Sequence, residues 1–193
     1  MKKTSLLTIG LLVISIGFMN AQINKGGFKM GLSSDIFDLG YTKTKTNSDA
    51  GSEFNYKRFD FNLAPKVSYF VIDKLEVGID INFGLRMTYY DEDSFNRTTT
   101  INAGPFVRYY IPTSKVLPFL ELGGAFGSQG SFTTVNYGAG IGLAVPLGER
   151  VLADILARYH SQSRKDKDSS TGMTIITGGF GLNLGFAFLL GSN

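Results

Sequence analysis

The chain has 193 residues with no Cys and no Trp, so there is room for one domain and no means of holding it by disulfides or a thiolate metal site. Twenty-four Gly and 16 Phe are high for an ordinary soluble domain, and charged residues make up only 18%. The formal charge of +3 includes Lys2 and Lys3, which fall in a segment expected to be removed; the remaining 17 basic and 16 acidic residues leave about +1 and no charge-based case for nucleic-acid binding.

Met1 to Ala21 reads as a secretory signal peptide. It has a basic start, an apolar core from Leu6 to Met19 and a small residue, Ala21, before Gln22, so cleavage is expected between Ala21 and Gln22. The apolar run is shorter than the ~20 residues a spanning helix needs, which disfavours an anchor. Residues 22–193 then form the mature domain. No long apolar helix follows, and a chain of this kind is integral to a membrane only as a closed barrel.

The mature chain alternates with period two almost throughout. Phe28, Met30, Leu32, Ser34 and Ile36 alternate with Lys29, Gly31, Ser33 and Asp35, giving a first strand. A polar loop is expected from Thr42 to Lys57. The second strand sets Phe59, Phe61, Leu63, Pro65, Val67, Tyr69 and Val71 against Arg58, Asp60, Asn62, Ala64, Lys66 and Ser68. After Ile72-Asp73-Lys74 comes the clearest strand, Leu75 to Tyr90, with an unbroken apolar row from Leu75 through Ile81 to Tyr89. It is far longer than the usual 5–6 residues of globular strands and exceeds the 9–11 needed to cross a bilayer.

Asp91 to Thr98 reads as a second polar loop. Strand four alternates Ile101, Ala103, Pro105, Val107, Tyr109 and Ile111 with polar or small residues and Phe106. Strand five sets Pro118, Leu120, Leu122, Gly124 and Phe126 opposite Phe119, Glu121, Gly123 and Ala125. Strand six runs Val135 to Val145 with Gly138, Gly140 and Gly142 in its other row. Strand seven alternates Val151, Ala153, Ile155, Ala157 and Tyr159 with Leu152, Asp154, Leu156, Arg158 and His160. A charged loop, Gln162 to Thr171, precedes the last strand, in which Ile176, Phe180, Leu182, Leu184, Phe186 and Phe188 share a face. Eight amphipathic strands with alternating short and longer connections predict an all-β, antiparallel, up-and-down transmembrane barrel.

The tight turns suggest registers. Pairing Val71 with Leu75 brings Asp60 opposite Arg86 and Lys66 opposite Asp80; pairing Pro112 with Leu117 brings Arg108 opposite Glu121. Asp154 and Arg158 join this set of interior ion pairs, because charges packed in an eight-strand lumen must be paired. Pro65 and Pro105 remove ladder donors where a closed barrel has no edge, so local bulges are expected there.

The signal peptide, the eight alternating strands, the paired interior charges and the ending Leu184-Gly185-Phe186-Ala187-Phe188 together resemble the small outer-membrane β-barrel family, with OmpX-like proteins and the transmembrane domain of OmpA-like proteins as relatives. The resemblance covers Gln22 to Asn193. It implies a Gram-negative outer membrane, contacts with membrane lipid and lipopolysaccharide, and recognition of Phe186 and Phe188 by the barrel assembly machinery. Here Leu189 to Asn193 follow that signal, and Asn183 stands where Gly is often found.

Other readings are weaker. Gly138-Ala139-Gly140-Ile141-Gly142 has Leu143 where a dinucleotide loop needs its third Gly. His160, the sole His, lies near Ser161 and Ser163, which invites comparison with lipid A-modifying barrels, but it is in the polar row and Gln162 stands where a His-x-Ser arrangement needs Ser. Asn96-Arg97-Thr98 is read as loop chemistry. The expected function is non-enzymatic: a barrel with no cofactor, serving envelope integrity or adhesion through its loops and an unknown surface ligand. The alternatives are a narrow porin-like channel or solute transporter, a lipid A-modifying enzyme, and a soluble ligand-binding barrel with its faces inverted.

Overall fold

The computed structural model describes residues 23–45, 57–91, 94–113, 116–166 and 174–190. It contains eight strands: β1 (Phe28–Lys45), β2 (Lys57–Ile72), β3 (Leu75–Asp91), β4 (Ser94–Tyr110), β5 (Leu117–Gln129), β6 (Phe132–Pro146), β7 (Val151–Asp166) and β8 (Thr174–Leu190). Each is antiparallel to the next and β8 returns to β1, which closes the predicted up-and-down barrel.

The two rows of each strand part company at the wall. On β3, Val77, Ile79, Ile81 and Phe83 are exposed on the outside, while Glu76 is 0% exposed inside. The belt continues around the barrel through Leu122 at 63%, Ile141 at 65% and Phe180 at 67%. A continuous apolar exterior of this extent is stable against lipid and not against water. Most of the wall pairs its backbone groups strand to strand, as a membrane crossing requires, the exception being the upper part of the β1–β2 seam. The chain is therefore a transmembrane barrel, and the inverted, ligand-carrying soluble barrel is excluded by the direction in which the rows face.

One end carries the connections 73–74, 111–116 and 147–150; the other carries 46–56, 92–93, 130–131 and 167–173. Here the sequence reading needs correction. Thr42–Lys45 continues β1, Gln162–Asp166 prolongs β7, and almost all of Asp91–Thr98 is strand, with Phe95 opposite Tyr89 and Asn96 opposite Thr88. Asn96 and Thr98 thus belong to β4 and not to a loop. Beyond the apolar belt both faces are polar, so alternation fades while Thr-rich backbone continues to pair. The connection after β3 is accordingly short, and only the first and last at this end are long.

Nor do the prolines cause bulges. Register shifts fall at Asp35/Phe37, Phe70/Ile72 and Tyr89/Asp91. Around Pro65 the β2–β3 ladder lapses between Leu63 and Lys66 and resumes in the same register; around Pro105 the β4–β5 ladder does so between Ala103 and Phe106. The flanking pairs hold the alignment without an inserted residue. The expected pairing of Val71 with Leu75 is also off by one at the turn: Ile72 faces Leu75, and Val71 is the extra residue before a turn in which Lys74 adopts φ 69°.

The wall is uneven in one place. β1 is paired with β8 along its whole length, but with β2 only over Phe28–Ser33 against Ala64–Tyr69. Just past the ladder's end the Ser34 hydroxyl donates to the Asn62 carbonyl at 2.8 Å.

Candidate functional site

The lumen has three layers. At the turn end, Ile23, Phe70, Tyr110, Phe119, Leu152, Leu156 and Leu189 form an apolar plug, all but closed to solvent. Ile23 reaches it because the segment before β1 is strapped across the barrel: Gly26 N–H donates to the Phe70 carbonyl and Phe70 N–H to the Gly27 carbonyl, both at 2.9 Å. The glycines of β6 make room for the ring. Phe119 stands opposite Gly142, where a Cβ would collide with it.

Above the plug lies a buried ionic network. Lys29 Nζ donates to Glu76 Oε2 at 2.8 Å and to the Tyr110 hydroxyl at 2.7 Å; that hydroxyl donates in turn to Glu76 Oε2 at 2.8 Å. Ser68 Oγ donates to the other Glu76 oxygen at 2.5 Å. Arg108 donates through Nε and Nη2 to Glu121 Oε2 at 3.0 and 2.6 Å, and through Nη1 to Asp154 Oδ2 at 2.5 Å. Its guanidinium stacks 3.9 Å from the centre of the Phe119 ring. Lys66 Nζ sits 3.3 Å from Glu121 Oε1 and 3.4 Å from Asp80 Oδ2. Low permittivity strengthens each attraction, but the desolvation of so many charges makes the network a device for one fixed arrangement more than a large net gain in stability.

The structure thus brings together Lys66, Asp80, Arg108, Glu121 and Asp154. Asp60 stands opposite Arg86 in register, but its side chain lies outside the described residues, as do Ala21 and Gln22. Asp154 and Arg158 are not partners. Four residues along one strand separate them by about 13 Å, at ~3.3 Å per residue, and Asp154 reaches Arg108 across the lumen instead. Lys29, Glu76, Ser68 and Tyr110 were missed by the sequence reading. Their signal was available: β3–β4 pairing sets Glu76 opposite Arg108, and Lys29 opens the inward row of β1.

The third layer is a cavity of about 530 Å³ running from Lys66 and Glu121 towards the loop end, lined by Arg86, Arg158, His160 and Arg164 among polar side chains. His160 faces this lumen and not the lipid. Among the described residues no cluster of His, Asp and Glu has the makings of a metal site. Phe186 and Phe188 face outward on β8.

No protein-family model and no curated protein matches the chain. Among solved structures, the outer membrane protein OprG from Pseudomonas aeruginosa aligns with a TM-score of 0.52 at 14% identity, over 89% of this chain and 99% of that one. The N-terminal β-barrel domain of Pseudomonas aeruginosa OprF aligns at 0.44 and 15% identity over 86% and 98% of the two chains, and Neisserial surface protein A at 0.45 and 17% over 85% and 99%. At such identities the likeness to OprG is one of fold, and the eight-stranded transmembrane barrel described above shares that fold with an outer-membrane protein.

Proposed function

We propose that the chain is a non-enzymatic outer-membrane barrel that anchors its loop end at the cell surface, in the service of envelope integrity or adhesion. The observation that carries this reading is the sealed lumen: the plug around Phe119 and Leu152, with the ion network directly above it, fills the turn end from wall to wall. In this reading the turn end is periplasmic, and the opposite end of the barrel is at the cell surface. The belt contacts membrane lipid and lipopolysaccharide, and Phe186 and Phe188 serve the barrel assembly machinery. Eight strands leave a lumen that side chains fill, which suits an anchor better than a pore.

The lumen-facing position of His160 argues against lipid A modification, whose substrate would arrive at the outer wall. A channel is the second reading, and the 530 Å³ cavity favours it to the extent that solute could enter from the loop end. Planar-bilayer recording of the purified, folded protein separates the two. The anchor reading expects no resolved conductance steps at neutral pH; regular openings would establish the channel.

A further inference from the structure

The upper lumen holds a cation that the ion network does not reach. Two carboxylates line the cavity low down, Asp80 and Glu121, and Lys66 sits between them. Arg164 lies near the loop end of β7, and no acidic residue faces it across either ladder: its register partners are Thr134 on β6 and Ile175 on β8, and beyond these stand Gly127 on β5 and Thr44 on β1. By contrast, Asp60 stands opposite Arg86, and Asp38 lies across Gly181 from Arg158.

The bonds that Arg164 does make go to neutral oxygens. Nη1 donates to Gln129 Oε1 at 3.3 Å and Nη2 to Thr177 Oγ1 at 3.0 Å, while the buried Nε–H has no acceptor among the described residues. Arg86, which has contacts of its own, lies near enough to act on it as a like charge. A partly buried guanidinium held by neutral groups, with one donor idle and a second cation close by, has no counter-charge among the described residues. An oxyanion supplies both missing elements, an acceptor for the idle donor and a negative charge between the cations.

We infer that the loop-end half of the lumen binds a small oxyanion, a carboxylate or phosphate, seated on Arg164 on the side that faces Arg86. The Gln129 side chain helps: its oxygen is occupied by Arg164, which leaves its amide N–H groups to donate. The site lies above the plug, so occupancy requires no opening through the barrel and goes beyond the anchoring role.

The test is calorimetric titration of the folded protein in detergent with sodium phosphate and with sodium acetate, against sodium chloride at equal ionic strength. Saturable binding of at least one oxyanion is expected, weakened tenfold or more by Arg164→Gln and several-fold by Arg86→Gln. Arg97→Gln, an exposed position on β4, should leave it unchanged. Binding no different from chloride, or undiminished in Arg164→Gln, overturns the inference. Should that variant fail to fold, Arg164→Lys keeps the charge but loses the planar fork; several-fold weaker binding is then expected, and unchanged binding overturns the site.

Discussion

Arg108 shows what single residues do inside this barrel. It ties β4 to β5 through Glu121 and to β7 through Asp154, and it rests on the Phe119 ring of the plug. Replacing it with Met keeps much of the volume but leaves Glu121 with Lys66 alone and Asp154 with only the longer contact to Lys29, a loss approaching the ~3–5 kcal/mol of a broken buried pair. The denaturant midpoint of Arg108→Met should fall markedly, and adding Glu121→Gln should recover part of the loss; strictly additive effects would mean the two groups do not interact. Gly142 acts by having no side chain. In Gly142→Val the new Cβ meets both the Phe119 ring and the Ile155 carbonyl, so the yield of folded barrel should drop sharply and rise again when Phe119→Leu is added. Refolding yield on unheated gels measures both. The opposition of Arg108 to Glu121 and of Lys66 to Asp80 was legible in the sequence, because a tight hairpin fixes facing residues. The bond from Arg108 to Asp154 was not legible: it crosses the lumen between strands that are not neighbours, and no local pattern records such a distance.

At the scale of elements, alternation was a faithful guide wherever one face meets lipid, and it failed where both faces are polar. That is why the strand cores were readable while β1, β4 and β7 run further than expected into stretches that look like loops. Alternation also says nothing about how completely two strands pair, so the short β1–β2 ladder was invisible. This seam is the weakest line in the wall. Hydrogen exchange should distinguish the two sides of β1 beyond Ser34: amides directed at β8 are expected to be protected, and the alternate ones, directed at β2, to exchange much faster. Uniform protection along Ser34–Lys45 would show that the seam is closed in the folded protein.

At the scale of the whole molecule, the membrane barrel was legible and the plug was not. The rows that read as wet turn apolar at the turn end, at Phe70, Tyr110, Phe119, Leu152 and Leu189, and these few residues decide that the barrel is stoppered. Phe119, Leu152 and Leu156 were each placed in the inward rows, but their grouping at one end was not seen, because it comes from packing across strands that are not neighbours. The biochemical role is harder to read from sequence for a physical reason: the wall answers to the bilayer, which many barrels share, whereas the role rests on side chains at the loop end and in the upper lumen, where no periodicity applies. The central claim, a closed barrel folded in an outer membrane, is tested most directly by gel mobility of the protein extracted from an outer-membrane fraction into detergent. The account predicts a compact species that resists SDS at room temperature and changes mobility on boiling. A protein recovered in the soluble periplasmic fraction, with one mobility regardless of heating, would contradict it.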